Sequence, residues 1–182
     1  LEYVSNTQIS SNGDKVLYQR NFNDIMTDES FSNIWLINYD GTNNRPITTG
    51  NFKDNSPKWS NQGDKFIFKS NREGKSQIFL YDLNNNSIQK LTNYQYSIES
   101  IQWSPDDNYI LFSSFIDSER DTLIEMPDKP KGAKWNDPPV EISDLNYRYD
   151  SSGFRKPGEV QFFTIPINGG TPRQISNIKP EK

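Results

Sequence analysis

Apolar and polar residues alternate along several short runs of this chain. In the middle of the sequence the alternating apolar positions include Trp59, Phe66, Phe68, Ile78 and Leu80, and turns rich in Asn and Gly separate the runs. Since side chains of a β-strand point alternately to the two faces of a sheet, such runs predict antiparallel strands joined by hairpins. We expect four strands here, over residues 56–60, 65–70, 76–83 and 87–92.

A twelve-residue unit with this pattern occurs three times, at residues 8–19, 58–69 and 102–113. Each copy reads an apolar residue, Ser, a polar turn and an alternating strand, and the copies are 44 to 50 residues apart. A repeat of this length is typical of β-propellers, in which each four-stranded sheet forms one blade. We therefore predict an all-β fold, a partial propeller of about three antiparallel blades, over about 4–50, 51–94 and 95–177.

Two segments interrupt the repeat. Residues 21–32 are polar and acidic, and we expect them to lengthen a hairpin loop of the first blade over one rim of the fold. In the third unit, a long insertion precedes closing strands at 159–167 and 170–176. Residues 126–139 hold four prolines, which disfavour central strands, so we predict an extended loop there. A further strand segment is expected over 140–149.

The composition argues against nucleic-acid and membrane partners. The net charge is -4 and Lys and Arg are not clustered, whereas both kinds of partner select a basic surface. No apolar run approaches the roughly 20 residues of a membrane helix, and residues 1–20 do not read as a signal peptide. The chain begins at Leu1, so two compartments stay open: the cytoplasm, or the periplasm or exterior after removal of an upstream signal.

The 182 residues contain neither histidine nor cysteine. The chain alone therefore cannot assemble a Ser/His/Asp or Cys/His nucleophilic site, or the usual His-based zinc site. Asp82, Asn84 and Asn86 have the spacing that opens a calcium loop, but Ile88 and Asn93 stand where such a loop needs a carbonyl turn and a bidentate Glu. We predict no catalytic residue, no metal and no cofactor in this chain.

A serine recurs just before the turn of each unit, as Ser10, Ser60 and Ser104. Recurrence once per blade predicts hydrogen bonds to the hairpin backbone rather than a nucleophilic role. The residue before that serine is Trp59 in the second unit and Trp103 in the third. Because the repeat fixes their position, we predict that these rings pack in the core rather than stack on a ligand.

Taken together, the repeats and one longer segment resemble the N-terminal propeller of prolyl oligopeptidase family serine peptidases, and specifically the acylaminoacyl peptidase branch. The resemblance spans essentially the whole chain. The Ser-Pro-Asp type of repeat also resembles the Tol-system periplasmic propeller protein. The segments that carry the resemblance are 1–20 (LEYVSNTQISSNGDKVLYQR), 56–70 (SPKWSNQGDKFIFKS), 101–114 (IQWSPDDNYILFSS), 140–154 (VEISDLNYRYDSSGF) and 169–175 (GGTPRQI).

In that family a propeller caps an α/β-hydrolase domain with a Ser/Asp/His triad and admits short peptides. This chain has no Gly-x-Ser-x-Gly nucleophile elbow, so no triad residue is carried over. The resemblance implies a gate and filter for peptide substrates of a hydrolase domain outside these residues, with no metal or organic cofactor. The alternative is a stand-alone propeller that binds a protein partner, as the Tol-system protein does.

Arg148 lies between Tyr147 and Tyr149 in the segment that resembles the peptidase branch. We predict that these three residues bind substrate, with Arg148 reaching towards the central channel or peptidase cavity and holding a carboxylate bidentately. The alternative is an ion pair of Arg148 with Asp150 that fixes the insertion.

An array of three blades leaves two apolar sheet faces without a neighbouring blade. Three arrangements would cover them: two copies that pair as a homodimer through the open faces, further blades in a longer parent protein, or the insertions of this chain.

Overall fold

The computed structural model describes residues 2–118, 127–136, 148–150, 153–154 and 156–178. These ranges contain fourteen strands and no α-helix, and so no helix there could cross a membrane. Twelve strands form three four-stranded antiparallel sheets. The prediction of an all-β fold built from propeller blades is confirmed. We call the sheets blade 1, blade 2 and blade 3, in chain order.

Blades 1 and 2 are each formed by four consecutive strands that pair in chain order. Blade 1 comprises β1 (Glu2–Ile9), β2 (Lys15–Asp24), β3 (Glu29–Asn38) and β4 (Arg45–Pro46). Blade 2 comprises β5 (Asn55–Trp59), β6 (Lys65–Ser70), β7 (Gln77–Asp82) and β8 (Ser87–Lys90). The four strands predicted for blade 2 are therefore confirmed to within two residues at each boundary.

The segment 21–32 is not a loop, and the prediction of one is wrong. β2 and β3 stay paired down to Asp24 and Glu29, which leaves only residues 25–28 for the turn. The rings of Phe22 and Phe31 pack with centroids 5.7 Å apart on one face of this extended hairpin. On the other face, Asn21 and Ser32 are polar yet buried, and they hid the strand periodicity.

Blade 3 is interrupted between its second and third strands. It comprises β9 (Ile98–Trp103), β10 (Tyr109–Asp117), β13 (Gly158–Pro166) and β14 (Arg173–Gln174). Although the insertion separates them, β10 and β13 pair along their full lengths.

The insertion contains one small hairpin, β11 (Arg148–Tyr149) with β12 (Gly153–Phe154). Residues 127–136 contain no strand, as the proline content predicts. Residues 126 and 137–139 of the expected loop, and residues 140–147 of the expected further strand, lie outside the described residues. The last two positions of that expected strand form β11.

The blades pack face to face through two apolar layers. The layer between blades 1 and 2 contains Leu17, Ile34, Leu36, Phe66, Phe68, Phe79 and Tyr81. The layer between blades 2 and 3 contains Ile67, Ile78, Leu80, Leu91, Ile98, Ile101, Trp103, Ile110, Phe112, Phe163 and Ile165. Neighbouring residues of β6 enter opposite layers, so blade 2 is buried on both faces.

The first strands of the blades, β1, β5 and β9, lie next to one another, and we call them the inner strands. Trp59 Nε1 donates a 3.1 Å hydrogen bond to the carbonyl of Gln8, and Trp103 Nε1 donates a 2.9 Å bond to the carbonyl of Lys58. Gln8 and Lys58 are the first residues of their repeat units. The same bond therefore joins each blade to the next, as expected for rotation about a shared axis beside the inner strands.

Candidate axial binding site

The repeated serines close the turns that follow the inner strands. Ser10 N donates to the carbonyl of Lys15 at 2.9 Å, and Ser10 Oγ accepts from Lys15 N at 3.0 Å. Ser60 and Ser104 make the same two bonds with the residue five positions later. These hydroxyls are engaged in holding the hairpin, and the structural prediction for them is confirmed.

Carboxylates in these turns are held ionised by the same geometry. Ser104 Oγ and Asn108 donate to the Asp106 carboxylate, and these bonds lower the pKa of Asp106 to about 2. In blade 1, a hydrogen bond from Lys15 lowers the pKa of Asp14. Hydrogen bonds to a charged carboxylate favour its charged form. Both carboxylates therefore support turns and are not candidates for acid–base chemistry.

The turns of neighbouring blades pack against each other around the axis. The Asp107 carboxylate in blade 3 accepts hydrogen bonds from the backbone N–H groups of Asn61 and Gln62 in blade 2, at 2.9 and 3.1 Å. A Cβ on Gly63, whose φ is 72°, would lie 2.8 Å from Ser11 Oγ of blade 1. The three turns thus form a fixed rim around one end of the inner strands.

A pocket of about 270 Å³ opens at this end of the axis. Its lining comes from all three inner strands and from two of the turns: Gln8, Ile9, Ser11, Lys58, Trp59, Ser60, Asn61 and Gln102. Gln8, Lys58 and Gln102 each open a copy of the repeat unit. The repeat therefore brings three polar side chains, far apart in sequence, to one axial pocket.

The polar ends of these three side chains have no hydrogen-bond partner in the described part of the chain, whereas both polar atoms of the buried Gln19 amide have one. Within the described residues, the side chains of Gln8, Lys58 and Gln102 make no hydrogen bond or ion pair. By contrast, the amide of Gln19 is bonded to Asn6 and Asn21. The axial pocket consequently offers one ammonium group and two carboxamides that are free to contact a ligand.

A second cation near the axis is already engaged. Lys69 Nζ donates to the carbonyl of Glu99, a link from blade 2 to blade 3. Burial lowers the pKa of Lys69, and the charge of Glu99 acts in the opposite direction. Lys69 therefore joins blades, and it leaves Lys58 as the basic side chain that lines the axial pocket among the described residues.

A larger open cleft of about 680 Å³ lies between the rims of blades 1 and 2. It is lined by charges of both signs, including Lys15, Arg45 and Asp64, and by several asparagines. Lys15 is paired with Asp14 at 2.5 Å. The cleft therefore presents mixed and partly satisfied groups, and the axial pocket is the better candidate site.

The predicted substrate-binding residues are not brought to the axis by the described strands. Arg148 is exposed on β11, and no Cα of β11 or β12 lies within 8 Å of a strand of the three blades. Tyr147 and the side chain of Tyr149 lie outside the described residues. A role for these three residues in binding stays a prediction.

The residues with calcium-loop spacing form a turn. Asp82 Oδ1 accepts a hydrogen bond from Asn84 N at 2.9 Å, and Asn86 Oδ1 accepts one from Tyr81 Oη. Asx side chains commonly bond to the backbone two residues on in such turns.

Sequence reasoning also missed a glutamine in the third strand of blade 2 and of blade 3 that makes the same set of hydrogen bonds in both. Gln77 Nε2 donates to the carbonyl of Tyr94, and Gln77 Oε1 accepts from Thr92 Oγ1 and Tyr94 N. Gln161 bonds in the same way to Ser176 and Ile178. The sequence signal for this arrangement is a Gln that precedes Thr92 in blade 2, and Ser176 in blade 3, by fifteen positions.

Comparison with curated proteins identifies peptidases among the relatives. The chain is 25% identical over 179 residues to the protein named uncharacterized peptidase YuxL of Bacillus subtilis, covering 98% of this chain and 27% of the relative. It is 27% identical over 149 residues to dipeptidyl-peptidase 5 of Porphyromonas gingivalis, covering 82% of this chain and 21% of the relative. The chain thus spans about a quarter of the length of these curated relatives.

Among solved structures, acylaminoacyl peptidase of Pyrococcus horikoshii superimposes with a TM-score of 0.70 at 21% identity, over 96% of this chain and 25% of that one. This likeness shows the fold, and the resemblance to peptidase propellers predicted from sequence is confirmed. The model of the TolB beta propeller domain matches residues 19–129, more than half of the chain. The chain therefore belongs to the TolB beta propeller domain family.

Proposed function

We propose that this chain is the non-catalytic propeller of a serine peptidase similar to acylaminoacyl peptidase, and that it gates and filters peptide substrates for a hydrolase domain outside the 182 residues. The observation that carries the proposal is the axial pocket. There Gln8, Lys58 and Gln102, at the same position of each repeat unit, present polar groups without a hydrogen-bond partner among the described residues. The match to the peptidase YuxL along 98% of the chain supports the same reading.

The filter acts through the dimensions and chemistry of the axis. The pocket volume of about 270 Å³ is just below the roughly 300–1,000 Å³ of typical small-ligand pockets, so the pocket has room for a peptide end and not for a folded domain. The carboxamides of Gln8 and Gln102 can donate to and accept from a peptide backbone. Arg148, Tyr147 and Tyr149, in the insertion, are also proposed to contact substrate, with Arg148 binding a carboxylate.

The test uses the full-length protein that carries this chain and two substrates, a tripeptide and a small aryl ester. Gln102→Trp places a large side chain in the axial pocket and narrows the passage along the axis. We therefore expect kcat/KM to fall several-fold more for the peptide than for the ester. The matched control is Gln89→Trp, on the exposed outer strand β8, which should leave both values unchanged. An unaltered ratio of peptide to ester activity in Gln102→Trp would contradict a gating role.

A second candidate is a stand-alone propeller that binds a protein partner. It is favoured by the family itself, which is that of the TolB propeller, and by an axial pocket that needs no hydrolase to bind a ligand. The coding frame separates the two proposals. A Gly-x-Ser-x-Gly segment downstream supports the peptidase, and a stop codon soon after Lys182 supports the binding module.

We also propose that two copies of the chain can pair through the open faces of blades 1 and 3. Blade 1 turns the stacked rings of Tyr18 and Trp35 away from blade 2, and blade 3 exposes Phe162 and Ile175. No other blade covers either face within the described part of the chain. Self-association is one way to remove this apolar surface from water.

A further inference from the structure

We propose that the axial pocket is a carboxylate-binding site, and that its ligand is the C-terminal carboxylate of a peptide. The inference rests on the proposed function, because it names the chemical group that the propeller selects. An Asp or Glu side chain within a peptide would supply the same chemistry, and the experiment below distinguishes these two sources.

The first support is electrostatic. Lys58 is the basic residue of the pocket lining, and no Asp or Glu occurs among the described residues that line it. Two other cations beside the inner strands are engaged: Arg20 pairs with Glu2 at 2.6 Å, and Lys69 donates to the carbonyl of Glu99. Lys58 thus places a positive charge without an ion-pair partner among the described residues at the axis of a chain whose net charge is -4.

The second support is the symmetry of the neighbouring groups. Gln8 and Gln102 flank Lys58 on the adjacent inner strands, at the same position of the repeat. When the Lys58 ammonium binds the terminal carboxylate of a peptide, these carboxamides are placed to hydrogen-bond the backbone N–H and C=O groups of the last peptide residues. An inorganic anion would use the ammonium and the amide N–H groups but would leave the amide oxygens without a donor, so the three groups together fit a peptide end better.

The third support is the wall beside these groups. The Trp59 side chain lines the pocket, and its Nε1–H is already bonded to the carbonyl of Gln8. The ring is thereby fixed, and it offers an apolar surface to the last side chain of a peptide. The pocket therefore combines a charge, a backbone-binding pair and an apolar wall, as small-ligand sites usually do.

The test uses the full 182-residue chain and three N-acetylated tripeptides. The first is Gly-Gly-Tyr with a free carboxylate, the second is its C-terminal amide, and the third is Gly-Glu-Tyr amide, whose carboxylate is in a side chain. Binding is followed by NMR through the Trp59 indole N–H signal. We expect the first peptide to shift this signal and to bind at least about tenfold more tightly than either amide.

Charge-removing variants locate the site. Lys58→Met is expected to weaken the free-carboxylate peptide about tenfold, and Lys58→Arg is expected to retain most of the affinity. The matched control is Lys53→Met, because Lys53 is exposed, lies outside the pocket and makes no ion pair with the described residues. Both Met variants change the net charge equally. Circular dichroism spectra that match the unmodified chain show that the variants are folded.

Equal binding of acid and amide, a Lys58→Met affinity equal to that of Lys53→Met, or no binding of any peptide would overturn the carboxylate site. Tighter binding of the Glu-containing amide than of the free acid would overturn the assignment to a C-terminus. None of these results bears on the peptide-to-ester ratio of Gln102→Trp in the full-length protein. The failure of this inference and the failure of the gating proposal are therefore distinguishable.

Discussion

Asp54 shows how a single charged residue is held inside this fold. Its side chain is fully buried in the connection between blades 1 and 2, and the guanidinium of Arg72 binds both carboxylate oxygens at 3.0 and 2.9 Å. The guanidinium also lies over the rings of Phe52, Phe68 and Phe79, within 5.8 Å of each centroid. The Asp54 carboxylate is thus shielded from water, and removing the partner of a buried charge is costly.

Replacing Arg72 by Met should leave the buried Asp54 carboxylate without a counter-charge. We expect the free energy of unfolding to fall by about 3 kcal/mol, measured by urea denaturation. The matched control is Glu73→Gln, which breaks the more exposed Lys90–Glu73 pair and should cost no more than about 1 kcal/mol. Similar small losses of unfolding free energy in both variants would show that the buried pair stabilises the fold no more than the Lys90–Glu73 pair.

Asp106 gives the turn of blade 3 a dependence on pH. Hydrogen bonds from Ser104 and Asn108 hold its pKa at about 2 in the folded chain, below the ordinary value of 3.8. A lowered pKa in the folded state stabilises the protein above pH 3.8, and this stabilisation is lost as the pH falls towards 2.

We therefore expect Asp106→Asn to be less stable than the unmodified chain near neutral pH, and the difference to shrink between pH 4 and pH 2. Urea denaturation at a series of pH values measures it. The control is Asp128→Asn, which removes an exposed carboxylate without a hydrogen bond to the described residues and should give a flat difference. A difference for Asp106→Asn that is also flat would contradict the argument.

At the scale of the strand, the same repeat position contributes differently to stability in different blades. Trp103 packs between blades 2 and 3 and is 6% exposed, whereas Ile9, its equivalent in blade 1, is 69% exposed. Ile9 has no preceding inner strand to pack against in the described chain. The energetic role of this position thus depends on the neighbouring blade rather than on the repeat sequence alone.

Truncation of the two equivalents should separate these contributions. Trp103→Ala removes a buried ring and the bond to the Lys58 carbonyl, so we expect a loss of about 3–5 kcal/mol in urea denaturation. Ile9→Ala should change stability by no more than about 0.5 kcal/mol. Equal costs at the two positions would mean that packing between blades does not determine the role of this residue.

Most strands could be predicted from sequence because alternation and turn residues are local signals. The extended β2–β3 hairpin was missed because Asn21 and Ser32 are polar yet buried. Asn21 is satisfied by Gln19 and by Ser5 Oγ, at 2.6 and 2.9 Å. The partner on the neighbouring strand, Ser5 of β1, helps to compensate the burial of the amide, and no local pattern reveals such a partner.

The axial pocket could not be predicted for a related reason. Gln8, Lys58 and Gln102 each occupy an ordinary polar position at the start of a repeat unit. Only the arrangement of the inner strands side by side gives these residues a common pocket. The sequence points instead to Arg148, whose neighbouring residues resemble the peptidase branch, and the described strands do not bring it to the axis.

For the whole molecule, the two layers between blades contrast with the two outer faces. Blade 2 is covered on both sides, whereas blades 1 and 3 each have one covered face. On the outer face of blade 1, Arg20 lies over the Trp35 ring at 5.2 Å. The outer face of blade 3 exposes Phe162, which pairs with Ser113 across the sheet. Both faces are therefore candidates for contact with a second copy.

If the copies pair through these faces, the molar mass from size-exclusion chromatography with light scattering should rise from monomer to dimer with concentration. Phe162→Asp places a charge on the blade 3 face, and charge burial is unfavourable, so it should shift the midpoint to higher concentration. The matched control is Ile25→Asp at the tip of the β2–β3 hairpin, where the side chain is 94% exposed. This control should leave the midpoint unchanged, because the tip lies beyond the paired part of the sheet. A monomeric mass at every concentration would reject the pairing, and equal shifts in both variants would indicate a general effect of charge.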